Sequence, residues 1–257
     1  MKNTTVMHQS HSQRLYRPVL IAISVALVST SIARKAAAST CPPELKTATR
    51  LLLVTTPSFN TFKGSVVTYS RNTPKADWKP SGSRKPIVVG RKGLAWGWTS
   101  GDFAKPGEPI KREGDKRAPA GIFAIGQPFG TFDKQLKGFV RLRKGQHFCV
   151  DDVRSRHYGR IVPRKTAGRG TSGEEMAKIS LYRQGLFVNY PPNAKKRAGS
   201  CIFVHVWRRP NSPTVGCVAA SEASVDRMQR FAAGGATAIA ILPETARARF
   251  GNCLPQS

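Results

Sequence analysis

The chain has 257 residues, with 42 Lys and Arg against 14 Asp and Glu, a formal charge of +28, and 40% apolar residues. Length and apolar content exclude a miniature disulfide scaffold and leave room for one domain with a real core. A charge of this size gathers polyanions at the surface and carries no information about fold.

The first segment reads as a leader. Lys2, Arg14 and Arg17 precede a 16-residue uncharged run, Pro18–Ala33, and Ala36-Ala37-Ala38 follow. A basic start, an apolar centre and small residues at the end are the pattern of a signal peptide over 1–38, with 39–257 as the exported domain. A retained membrane anchor is the alternative, since the run is only slightly short for a span. No stable membrane insertion is expected once the leader is cut. Thr40 precedes Cys41 and no Leu stands three residues before it, which argues against a lipid-modified cysteine. Five basic residues and no acidic ones fall in the leader, so the remainder carries +23. Anionic wall polymers or lipid head groups suit an exported chain better than nucleic acid, whose binding sites interleave aromatics with the basic residues.

Strands are expected over 51–56, 64–69, 86–89 and 94–98, where β-branched and apolar runs are broken by Pro57, Pro74, Gly90 and Gly93. A charged loop over 101–119 leads to a strand at 122–125. Strands at 138–142 and near 147–150 follow, then a long basic loop, with 11 basic residues between Lys134 and Arg169. A short helix is expected within 173–181 and a strand over 186–190. Ser221 caps the clearest helix, in which Val225, Met228, Phe231 and Ala232 share a face, and Gly234-Gly235 ends it. A buried strand at 237–242 closes the chain. With no repeat and no internal linker, the expectation is one mainly β domain, a sandwich or barrel with one or two short helices and a core over about 50–243.

Five cysteines (41, 149, 201, 217 and 253) lie beyond the leader. An odd count in an exported chain leaves at least one thiol unpaired. A bridge between Cys41 and Cys253 would staple the ends. His147 and His157 with Cys149 fit no closed zinc spacing, and neither a metal nor a cofactor is expected.

Residues 199–217, GSCIFVHVWRRPNSPTVGC, carry most of the functional signal. Alternation along 201–207 puts Ile202, Val204 and Val206 on one face and Cys201, Phe203, His205 and Trp207 on the other. An isolated strand histidine is usually structural. Here the chain returns within 12 residues to Gly216-Cys217, which can bring a thiol to an adjacent strand. Thiol plus imidazole is the minimum for cysteine nucleophilic catalysis, and the glycine frees the backbone to aim N–H groups at an oxyanion. Local positive charge would favour the thiolate. A disulfide is the competing role for Cys217.

The stretch 199–219 resembles the active-site region of L,D-transpeptidase catalytic domains of the YkuD type, in which a strand-borne His precedes S/T-x-G-C. Residues 111–123 resemble that family's GD…TP-x-G-x-F segment, 86–97 its V-G-x-x-G turn, and 148–152 a W-C-D-D stretch of one exported branch. The resemblance spans roughly residues 50–243. It implies the family's β fold, a periplasmic or wall location, and cross-linking of peptidoglycan stem peptides through a cysteine thioester without cofactor. Cys217 would be the nucleophile and His205 the base and acid. The backbone around Val215, Gly216 and Cys217 would supply oxyanion donors, and the Val206 carbonyl would orient the ring. Thr214, Trp207, Arg208, Arg209 and Asp152 are candidate substrate contacts.

Three departures bear on substrate. Val215 stands where the family usually has His, the His-to-Cys loop is short, and Ala219 replaces a polar or basic residue. Arg208, Arg209 or an arginine of the 154–169 loop would then hold a substrate carboxylate. Asp151 and Asp152 also suit salt bridges in a basic loop. Two other functions remain open at this level: a hydrolase on the same stem peptides, an L,D-carboxypeptidase or endopeptidase, and a non-catalytic cationic wall-binding module.

Overall fold

A computed structural model describes residues 41–256, with residues 1 and 3 at the start. The leader expected over 1–38 lies, but for those two positions, outside the described residues. Helix α1 (Pro43–Thr47) leads into strands β1 (Arg50–Thr56), β2 (Lys63–Ser70), β3 (Lys79–Pro80), β4 (Lys85–Val88) and β5 (Leu94–Trp96). Strand β6 (Ala118–Gly130) is followed by β7 (Val140–Arg141), β8 (Phe148–Val150) and β9 (Ile161–Val162). Helix α2 (Arg164–Ala167), β10 (Gly173–Glu175), β11 (Gln184–Val188), β12 (Phe203–Val206) and β13 (Val218–Ala220) come next. Helix α3 (Glu222–Ala233), β14 (Thr237–Pro243) and α4 (Glu244–Arg247) end the order.

The strands close on themselves. Strand β1 runs parallel to β14 and antiparallel to β2, and the order β1-β14-β6-β11-β12-β13-β4-β2 returns to β1 as an eight-stranded barrel. Closure removes the free edges that an open sheet of these apolar strands would expose. All eight strands contribute to one apolar cluster, including Leu52, Val66, Ile87, Ile122, Leu186, Val204, Val218 and Ile239. Helix α3 adds Val225 and Met228 to it. Ser221 accepts from the Ser224 amide at the start of this helix, as its sequence position predicts.

Strand β6 runs well beyond the expected 122–125. Gly126, Pro128 and Gly130 weaken its sequence pattern, but β14 and β11 flank it and supply the hydrogen-bond ladder. At the turn before β5, Gly93 has φ +85° and a Cβ there would stand 2.0 Å from the Phe59 carbonyl oxygen, so only glycine fits.

Two expectations are corrected. No helix forms over 173–181: β10 is followed by 3-10 turns at Met176–Lys178 and Ser180–Arg183. The long basic stretch is not plain loop either, because β8, β9 and β10 form a separate three-stranded sheet in the order β10-β8-β9. Both misreadings have one cause. These short segments are stabilised by each other and by the barrel beneath, not by their own periodicity. Residues 41–256 belong to one compact unit. Among the described residues no helix is long and apolar enough to cross a membrane.

Candidate active site

The site is built on the outer faces of two neighbouring strands. β12 pairs in parallel with β13, with Val204 opposite Val218 and His205 opposite Ala219. Val204, Val206, Val218 and Ala220 point into the main core. Phe203 and Cys217 belong to a second apolar cluster with Phe129, Tyr182 and Met176. Alternation therefore puts His205 on the same face as Cys217, which sits one step before β13. The face away from the core is itself covered: His205 is 5% exposed and Cys217 4%. The cover is the cap formed by β8–β10 and the two 3-10 turns.

Disulfides join Cys41 to Cys253 and Cys149 to Cys201, and Cys217 is the free cysteine. The first bridge staples the ends. The second ties β8 of the cap to the residue before Ile202 and β12. Cys201 takes a left-handed backbone, φ +53°, which a non-glycine residue adopts only when its surroundings impose it. That conformation turns its carbonyl towards the site, where it accepts from the Cys217 thiol at 3.4 Å.

His205 Nδ1 lies 2.8 Å from the Val206 carbonyl oxygen. A carbonyl can only accept, so Nδ1 carries the proton and Nε2 keeps its lone pair. The ring is oriented without a carboxylate, by the carbonyl that the resemblance singled out. Burial lowers the ring pKa to about 4, against a smaller opposing effect of the Val206 bond. Burial raises the Cys217 thiol to about 12, helped by the nearby Glu174 carboxylate and opposed by the Phe203 amide, Tyr182 and Lys111. The favourable positive field expected from composition is thus outweighed at the sulfur. Both groups rest neutral at pH 7, as thiol and imidazole rather than an ion pair.

Cys217 and His205 line one cavity of about 320 Å³. Trp207, Arg208, Thr214 and Val215 also line it, as does Ala219. Arg209 is exposed and is not part of the lining. Asp152 is not part of it either: its carboxylate accepts from the Arg154 amide at 3.0 Å and pairs with the Arg154 guanidinium. It is a turn anchor of the cap, the role that a carboxylate in a basic loop most often takes. No arginine of the 154–169 loop reaches the cavity, but Arg91 does.

The Gly216 amide donates to Thr214 Oγ1 at 3.1 Å, and that hydroxyl donates to the Cys217 carbonyl at 2.7 Å. Gly216 is therefore committed within its own turn, and so is the Thr214 hydroxyl. The amides of Val215 and Cys217 are the uncommitted donors of this turn among the described residues.

Compared with known proteins, the chain matches no family model and no curated protein. Among solved structures it is similar to the helical cell shape determining protein Pgp2 of Campylobacter jejuni, at 12% identity and a TM-score of 0.38. The likeness covers 76% of this chain and 47% of that one, so the chain spans about half of the neighbour's length. A likeness this distant bears on neither activity nor substrate.

Three polar cavity residues from outside 199–219 escaped the sequence reading. Arg91 follows Gly90, whose backbone bridges to Thr214, and its amide donates to the Thr214 carbonyl at 2.9 Å. Glu174 and Tyr182 come from the cap, and the Tyr182 hydroxyl donates to Glu174 Oε2 at 2.6 Å. Nothing local marked them, because the cap was read as loop and helix. His147 and His157 bond to their neighbours Arg143 and Arg156. Among the described residues no group of three or more metal-ligating side chains comes together.

Proposed function

We propose that this chain is an exported cysteine acyltransferase of the L,D-transpeptidase type, acting on peptidoglycan stem peptides. One observation carries the reading. The single unpaired cysteine of five shares a cavity with an imidazole whose Nδ1–H is tied down and whose Nε2 lone pair is free.

Because both groups rest neutral, proton transfer accompanies attack. The Cys217 sulfur bonds to the amide carbonyl carbon of a donor stem as its proton passes to His205 Nε2. The tetrahedral oxyanion is met by the Val215 and Cys217 amides. As the C–N bond breaks, the imidazolium returns the proton to the departing D-amino acid and a thioester remains. An amine of a second stem then attacks the thioester carbon, loses its proton through His205, and expels the sulfur, which is reprotonated. Arg91 and Arg208 at the cavity suit a substrate carboxylate. The excess positive charge suits an anionic wall polymer.

Incubation with disaccharide tetrapeptide, followed by mass spectrometry, is expected to give cross-linked dimers and an acyl adduct on Cys217. Shortened monomers without dimers would shift the reading to a hydrolase on the same stems. An unmodified Cys217 after challenge with both tetrapeptide and a carbapenem would leave a non-catalytic wall-binding module.

A further inference from the structure

The cavity also holds a hydrogen-bonded pair that the reaction above does not use. Glu174 accepts from the Tyr182 hydroxyl at 2.6 Å. Tyr182 and Cys217 are packed in the same buried cluster and line the same cavity. The Tyr182 ring also stands edge-on to His205 with centroids 5.2 Å apart. Three proton-bearing groups, Glu174, Tyr182 and Cys217, thus share one cavity, and a phenol has one proton to donate.

We propose that Glu174 and Tyr182 form a positioning pair in which the charge of Glu174 decides whether the Tyr182 hydroxyl donates to the carboxylate or to the Cys217 sulfur. With Glu174 ionised, the proton is held by the carboxylate and the sulfur faces only a lone pair. With Glu174 neutral, the carboxylic acid donates to the phenol oxygen, and the hydroxyl proton is free to turn to the sulfur. The thiolate is then hydrogen-bonded and has lost a neighbouring negative charge. A substrate ammonium placed against Glu174 would act in the same direction.

Other titratable groups surround this pair. His205 comes from β12, Lys111 and Glu113 from the loop before β6, and Asp151 from the end of β8. Arg91 and Arg208 line the same cavity. Burial raises the carboxyl pKa of Glu174, which brings its neutral form closer to physiological pH.

The inference rests on Cys217 being the nucleophile of the proposed function, but its test does not need acyl transfer. Thiolate absorbance is titrated for the full chain, Glu174→Gln, Tyr182→Phe and the double variant, each minus its Cys217→Ser twin. A glutamine keeps a donor towards the phenol oxygen and removes the charge. The expected result is a lower thiol pKa in Glu174→Gln, with about tenfold more thiolate at fixed pH for each unit. In the Tyr182→Phe background the same change is expected to have a clearly smaller effect. Equal shifts in both backgrounds would mean charge acting through space alone and would overturn the relay. No shift in either would overturn it too. Near-ultraviolet circular dichroism checks that each variant is folded. Loss of cross-linking with the pKa coupling intact would instead count against the proposed function.

Discussion

The barrel core packs Leu52, Val54, Ile239 and Ile241 in one large apolar cluster, whereas the cap joins the barrel through a smaller one, Met176 and Tyr182 with Phe129 and Phe203, and through point attachments. Those are the Cys149–Cys201 bridge, the Tyr158 hydroxyl on Glu113 at 2.6 Å, and the Ser200 hydroxyl on the same carboxylate at 2.6 Å. Apolar burial is additive and tolerant of local change, so the barrel can hold β12 and β13 in register whatever happens above them. Polar attachments are directional, and each one lost leaves a partner unsatisfied. The comparison teaches a division of labour: the barrel positions the thiol and the imidazole, and the cap sets the environment in which they titrate.

The largest expected effect tests the barrel half of that division. On the proposed mechanism, replacing His205 by Gln removes the proton acceptor that shares the cavity with Cys217, and it is expected to lower the acylation rate about 10²- to 10⁴-fold with the fold retained. Rapid-quench mass spectrometry of the Cys217 adduct would measure it, and an unchanged rate would separate His205 from the chemistry.

Next comes the cap. Changing Cys149 and Cys201 together to Ser is expected to cost about 2–4 kcal/mol in urea unfolding. Hydrogen exchange should rise in 143–183 while β1 and β14 stay protected. Equal loosening of both regions would break the distinction drawn here.

A smaller effect is pH-dependent. The folded pKa of His205 is lowered to about 4, below its ordinary value of 6.5. Between those two values the unfolded chain binds the extra proton, so stability falls as pH drops through that window. The loss at the acid end is on the order of 3 kcal/mol, and it should be absent in His205→Gln. Identical pH profiles for the two proteins would mean that the ring is not buried in its neutral form.

Asp152→Asn is expected to do least. Its partner Arg154 is 85% exposed, and the carboxylate lies away from the cavity. Acylation rates should match those of the native chain. A large drop would restore Asp152 to the substrate site and enlarge the functional role of the cap.

Much of the barrel half was legible because its signals are local. The alternation over 201–207 separates Val204 and Val206 from Phe203 and His205 by the pleat alone, and the Ser221 cap with its apolar stripe marks α3. Gly216, expected as an oxyanion donor, donates its amide to the Thr214 hydroxyl two residues away, a local turn contact that the strand pattern does not reveal. The cap was largely illegible. Its strands are two or three residues long, too short for a period to show, and its sheet exists only through pairing across the basic stretch.

By itself the sequence determined which residue types could react and which face of β12 would carry His205, because side-chain alternation is a property of a few consecutive residues. Only the tertiary structure decided that the strands close into a ring, that Cys217 stays unpaired while its four counterparts bridge, and that Glu174 and Tyr182 line the same cavity as the sulfur. Glu174 lies 43 positions from Cys217 in the chain. Proximity of that kind, and the burial that leaves both thiol and imidazole uncharged, arise when distant segments exclude water together, which no stretch of residues encodes alone.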